Sequence, residues 1–170
     1  MPDRSLTFLI GGARSGKSAH AEQLAMCHAA PWSYIATAQA YDDEMRERIA
    51  THRSRRGEGW TTIDAPLDLA GALDAVPEGC PVLVDCLTLW LTNHMLAGHD
   101  LSAECARLEQ SLMRPRGPWF VVSNEVGLGI VPENALARRF RDAAGRLNQQ
   151  VAAVADTVLL MVAGLPLKVK

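Results

Sequence analysis

The residues with the clearest chemistry are the glycines, lysine and serine of GGARSGKS, positions 11 to 18. Gly11, Gly16, Lys17 and Ser18 satisfy G-x-x-x-x-G-K-[ST], with Gly12, Ala13, Arg14 and Ser15 between them. Glycines let backbone N–H groups turn toward phosphate oxygens. Lys17 then reaches the outer phosphates of a nucleotide, and Ser18 is the ligand expected for Mg2+. The flanks predict the context such a loop needs, a strand in LTFLI before it and an unbroken helix in SAHAEQLA after it. Nucleotide binding follows, but the same cradle serves many reactions.

A magnesium nucleotide also calls for a carboxylate at the end of a neighbouring strand. Asp85 in PVLVDCL fills that place, so Ser18 and Asp85 form the expected metal side. A GTPase of the Ras type would carry an N-K-x-D guanine-reading element after a late strand, where this chain has SNEVG. That reading weakens, while a small-molecule kinase using Arg14 and the arginines of the last long helix stays open. Asn124 and Glu125 stand at a strand end, where open α/β sheets bind ligands. A structural turn hinged on Gly127 and Gly129 is the alternative.

The segment DDEMRERIATHRSRRGEGW, positions 42 to 60, is the second informative stretch. Met45, Ile49 and His52 recur at helical spacing, which places His52 on the stripe that packs against the body. Taken alone this describes a core histidine, and the charge run a solvated face. Arg48, Arg53, Arg55 and Arg56 surround it, however, and nearby like charges disfavour the imidazolium. His52 is therefore expected to be neutral and able to attack phosphorus, with guanidinium groups holding phosphate oxygens.

The elements that must position these groups are short apolar runs alternating with helical segments, the pattern of a parallel sheet covered by helices. Strands are expected in LTFLI, WSYIATA, PVLVDCL, WFVVSNEV and TVLLMVA, with weaker support for WTTID. The last run reads as a buried strand. A helix is expected from VPEN onward, with Pro132 in its first turn and a stripe of Leu136, Phe140, Ala144, Leu147 and Val151. Pro115, Gly117 and Pro118 should end the helix before it. Trp90, Leu91 and Met95 are expected in the core, with contact to a large macrocyclic substrate as the alternative.

At 170 residues the chain, 1–170, is expected to be a single domain. A formal charge of -2 gives no reason to expect nucleic acid as partner. The five-residue apolar run before the glycines is too short for a secretory signal, and the longest apolar run, TVLLMVAGLPL, is too short for a membrane span. Cys27, Cys80, Cys86 and Cys105 form no C-x-x-C pair and read as buried or half-buried thiols of a reduced, cytoplasmic protein.

Together, GGARSGKS, YIATAQAYDDEMRERIATHR, VSNEVGLGIVPENALARRFRDAAGRLNQQVA and GLPLKVK resemble the bifunctional adenosylcobinamide kinase / adenosylcobinamide-phosphate guanylyltransferase family of cobalamin biosynthesis, nearly end to end. The resemblance implies an α/β P-loop NTPase fold with a RecA-like, mostly parallel sheet, and a homotrimer. It implies phosphorylation of adenosylcobinamide by ATP or GTP, then transfer of GMP from GTP through a guanylyl-histidine at His52. It places Gly11 to Ser18 at the phosphates, and Thr37, Ala38, Gln39, Arg53, Ser54, Arg55 and Arg56 along the GTP site. Asp85 falls on an acidic metal-side or nucleotide-binding position. Asp64 falls on the family's guanine contact, usually glutamate. A kinase without a covalent step and a nucleotide-dependent binding protein remain the alternatives.

Overall fold

The computed structural model describes residues 3–170, except the side chains of Arg48, His52 and Arg55. Strand β1 (Leu6–Gly11) sends Leu6 and Phe8 into one apolar core and Leu9 into another, as a strand covered on both faces must. The remaining strands are β2 (Trp32–Ala36), β3 (Trp60–Asp64), β4 (Val82–Asp85), β5 (Trp119–Asn124), β6 (Thr157–Val162) and β7 (Leu165–Lys168). They form one seven-stranded sheet in the order β3-β2-β4-β5-β1-β6-β7, parallel throughout except for the β6–β7 pair. This is the expected mostly parallel α/β class, and each expected strand, WTTID included, is present.

The helices are α1 (Lys17–Met26), α2 (Asp43–Arg55), α3 (Leu69–Ala75), α4 (Leu87–Leu96), α5 (Leu101–Leu112) and α6 (Ala135–Val154). Leu73, Leu87, Trp90, Leu91, Leu108 and Leu147 bring α3 to α6 onto one face of the sheet. Met95 packs against that cluster, so the α4 residues are core as expected. On the other face Ala21 and Ala25 of α1 lie against Leu9, Leu83, Phe120 and Val122. None of the helices among the described residues is long and apolar enough to cross a membrane.

Five expectations need correction. Asp85 is not on the strand next to β1, because β5 lies between β1 and β4 and contributes its own end, Asn124, to the gap. Helix α6 starts at Ala135 rather than Pro132, because the Asn134 side chain accepts a hydrogen bond from the Ala137 N–H at 3.1 Å and caps it there. Leu136, at the head of the expected stripe, is exposed, whereas Ala144, Leu147 and Val151 are buried. The TVLLMVA run is only partly buried, since beyond β6 lies nothing but β7, whose four residues are all exposed. Cys27 is exposed rather than buried. The β6–β7 hairpin was not foreseen; Ala163 (φ 51°) and Gly164 (φ 79°) form its turn, with the positive φ pair that tight hairpins require.

Candidate functional site

The loop joining β1 to α1 is shaped for an anion. Gly16 caps α1 with φ 92° and offers no side-chain bond, and the first turn of α1 holds no acidic residue. By contrast Asp42, Asp68, Asp100 and Asn134 cap α2, α3, α5 and α6 through their side chains. The first N–H groups of α1 are therefore left to an external acceptor. Gly11 must be glycine, because a Cβ there would lie 2.6 Å from the Met161 carbonyl oxygen and 2.8 Å from Ser15 Oγ. The Gly164 N–H donates to the Ser15 carbonyl at 2.9 Å, so the β6–β7 turn braces the loop from behind.

Lys17 is buried, and its Nζ donates to the Gly12 carbonyl at 2.5 Å, with Ser15 Oγ at 3.4 Å. Burial lowers its pKa from the usual 10.5, partly opposed by Cys86 and Asp85. An under-solvated ammonium that is bonded only to neutral oxygens gains strongly when a phosphate enters.

Asp85 is the other centre. Its Oδ2 accepts from Ser18 Oγ at 2.6 Å and from the Tyr34 hydroxyl at 3.0 Å. The hydroxyl and carboxylate are hard oxygen donors that suit Mg2+, which takes one or two protein oxygens and completes its shell with phosphates and water. No group of three or more His, Cys, Asp or Glu suited to a metal occurs among the described residues. Burial, and then the Asp85 charge, push the Tyr34 phenol well above its usual pKa, so it stays a donor. The Arg56 guanidinium lies over the Tyr34 ring at 3.6 Å, and its Nη1 is buried without a partner.

Two pockets meet at this carboxylate. One, of about 610 Å3, is lined by Ala13 to Ser18 of the loop and by Glu22. The other, of about 260 Å3, is lined by Tyr34, Ala38, Met45, Ile49, Arg53 and Arg56. Asp85, Leu89 and Asn124 form walls of both. Met45 and Ile49, expected to pack α2 against the body, thus line a pocket instead. His52 stands in α2 between Ile49 and Arg53; its side chain, like that of Arg55, is outside the described residues.

The other candidates from the sequence are engaged within the protein. Thr37 is fully buried, and its hydroxyl donates to the Cys86 carbonyl at 2.7 Å while accepting from the Cys86 N–H at 2.8 Å, which holds the turn after β4. Gln39 Oε1 accepts from the Tyr41 hydroxyl. Ser54 Oγ donates to the Thr51 carbonyl at 2.9 Å. Both Asp64 oxygens take Arg53 Nη2, at 2.6 and 2.7 Å, in an exposed pair. Asn124 Nδ2 donates to Thr88 Oγ1 at 2.7 Å, and the Glu125 carboxylate accepts from the Gly127 N–H at 2.6 Å, a turn-forming role. Sequence reasoning missed Tyr34 and Thr88; a lone tyrosine among apolar strand residues is a weak signal, and a threonine at a helix start is weaker.

Comparison with solved structures agrees with the fold. The chain superimposes on the RadB recombinase with a TM-score of 0.55 at 19% identity, covering 94% of this chain and 74% of that one. A protein from Pyrococcus horikoshii OT3 gives 0.59 at 8% identity, covering 100% and 88%. Sequence comparison reaches further. The bifunctional adenosylcobalamin biosynthesis protein CobP of Pseudomonas aeruginosa is 49% identical over 166 residues, 96% of each chain. CobU of Salmonella typhimurium, a bifunctional adenosylcobalamin biosynthesis protein, is 41% identical over 97% of this chain and 99% of its own. The family model described as cobinamide kinase / cobinamide phosphate guanyltransferase matches residues 7–169. A phosphate loop, an opposed carboxylate and an adjoining basic pocket on a chain so matched place it within one group: the protein belongs to the cobinamide kinase / cobinamide phosphate guanyltransferase family.

Proposed function

We propose that this chain phosphorylates the aminopropanol hydroxyl of adenosylcobinamide with ATP or GTP, then transfers GMP from GTP to the resulting phosphate. The observation that carries the reading is the pair of adjoining pockets, one built by the phosphate loop and one by α2, with Asp85 in the wall of both. The smaller pocket brings Arg53 and Arg56 to the same carboxylate that faces the phosphate loop.

In the first reaction the acceptor hydroxyl attacks the γ phosphorus and gives its proton to water, the bond to the β-phosphate oxygen breaks, and the nucleoside diphosphate leaves. Lys17 and the free N–H groups of α1 take up the growing charge on the outer phosphates. Ser18 and Asp85 would hold Mg2+, which supplies further charge neutralisation at the phosphates. In the second reaction an imidazole nitrogen of His52 attacks the α phosphorus of GTP, and pyrophosphate leaves. A phosphate oxygen of adenosylcobinamide phosphate then attacks that phosphorus, the P–N bond breaks, and the histidine is restored. Arg53 and Arg56 supply forked donors on the α2 side. Gly11, Gly12 and Ala13 shape the loop, Ala38, Gln39, Ser54 and Arg55 flank the nucleotide, and Thr37 fixes the strand end behind it. Asp64, exposed while it holds Arg53, has lone pairs left to accept from guanine.

A homotrimer and a cytoplasmic setting accompany this reading, the latter supported by four free cysteines. The test is incubation with adenosylcobinamide, GTP and Mg2+, followed by mass analysis of the corrinoid. The expected product carries a GDP group, with one pyrophosphate released per molecule. A corrinoid that stops at the monophosphate would reduce the protein to a kinase, and an unmodified corrinoid would reduce it to a binding protein.

A further inference from the structure

Tyr34 joins the two pockets in a way that packing alone does not explain. In the β2–β4 ladder Tyr34 pairs with Leu83, and Ala36 pairs with Asp85. Side chains two residues apart on a strand share a face, so Tyr34 and Asp85 are diagonal neighbours across the ladder, within reach of a long aromatic side chain. The Tyr34 hydroxyl uses that reach to donate to Asp85 Oδ2, the oxygen that also takes Ser18 Oγ. The ring's face meanwhile carries the Arg56 guanidinium at 3.6 Å. Arg56 Nη2 donates to Thr62 Oγ1 at 3.3 Å, but Nη1 is buried with no acceptor. A buried guanidinium N–H left unbonded is costly unless a ligand oxygen completes it. Arg56 lines the smaller pocket, where such an oxygen would enter.

We infer that Tyr34 is a positioning residue serving both halves of the site: its hydroxyl fixes Asp85 for a magnesium-bound phosphate, and its ring seats Arg56 for an anionic oxygen of the nucleotide. This rests on the proposal that a magnesium nucleotide occupies the loop. A phenylalanine would fill the same space and carry Arg56 equally well, but would leave Asp85 held by Ser18 alone. An aliphatic residue would lose both functions.

The test reads equilibrium affinity for a fluorescent, non-hydrolysable GTP analogue, first in EDTA and then in Mg2+, and needs no transfer chemistry. Tyr34→Phe should bind as wild type does in EDTA, yet lose roughly three- to tenfold of the affinity that Mg2+ confers, the value of one hydrogen bond. Tyr34→Leu should also weaken binding in EDTA, to the level of Arg56→Ala, and the double variant should be no weaker than either single one. A full Mg2+ gain in Tyr34→Phe overturns the hydroxyl's role. Additive losses in Tyr34→Leu and Arg56→Ala overturn the ring's role, and a wild-type affinity indifferent to Mg2+ overturns the whole inference. Wild-type protein that shows the expected binding pattern but makes no guanylated product would contradict the proposed function and leave Tyr34's role standing.

Discussion

Lys17 shows how one residue type is legible from spacing while its electrostatic state is not. The loop pattern identifies it, but only the fold places its ammonium in a buried position facing the Gly12 carbonyl. Lys17→Ala should lower the turnover of both transfers on the order of hundredfold or more, about 3 kcal/mol of transition-state stabilisation, as read from rates at saturating nucleotide. Its lowered pKa gives a second prediction. The protonated form binds phosphate, so GTP affinity in EDTA should be full on the acid side and fall as pH rises through a value below 10.5. Lys17→Met should bind weakly at every pH and lack that alkaline limb. Thr37 illustrates the converse. Its position drew attention from the sequence, but its hydroxyl is consumed in fixing the turn at Cys86, and no local pattern announces a bond between residues so far apart in the chain.

At the scale of elements, α2 carries Arg53 of the smaller pocket and ends at its C-cap Arg56, and its start is well marked. Asp42 accepts from the Met45 N–H at 2.8 Å, and Asp43 and Glu44 place negative charge at the positive end of the helix. Asp42→Ala should destabilise α2 by about 1 kcal/mol, seen as faster amide exchange across residues 43 to 55 with little change in α6. Asp42→Asn should restore most of the protection. Element boundaries were legible where side chains punctuate the chain, as at Pro115 to Pro118, and misread at Pro132, where the capping asparagine two residues later decides. The β6–β7 hairpin escaped notice because Ala163 adopts a positive φ that its residue type does not suggest. That hairpin supports the phosphate loop through Met161 and Gly164, so part of the site rests on an element the sequence did not reveal.

For the whole molecule, alternating strands and helices implied a covered parallel sheet, and that class is what the chain forms. Strand order was beyond local patterns: β5 is inserted between β1 and β4 by pairings between residues as distant in sequence as Leu6 and Trp119. The site depends on this insertion, since it brings Asn124 between the loop and Asp85. Leu83, fully buried on β4 beneath α1, reports on that architecture. Leu83→Ala should cost about 2 to 5 kcal/mol in urea unfolding and weaken nucleotide binding only as far as the folded population falls.

The account turns on a covalent bond between His52 and the α phosphorus of GTP. Incubation with GTP labelled on its α phosphate and Mg2+ should give wild-type protein an adduct that is lost in acid and stable in alkali, as a phosphoramidate is, and should give His52→Ala none. Label retained by a folded His52→Ala variant, or absent from a wild-type protein that completes GMP transfer, would contradict it.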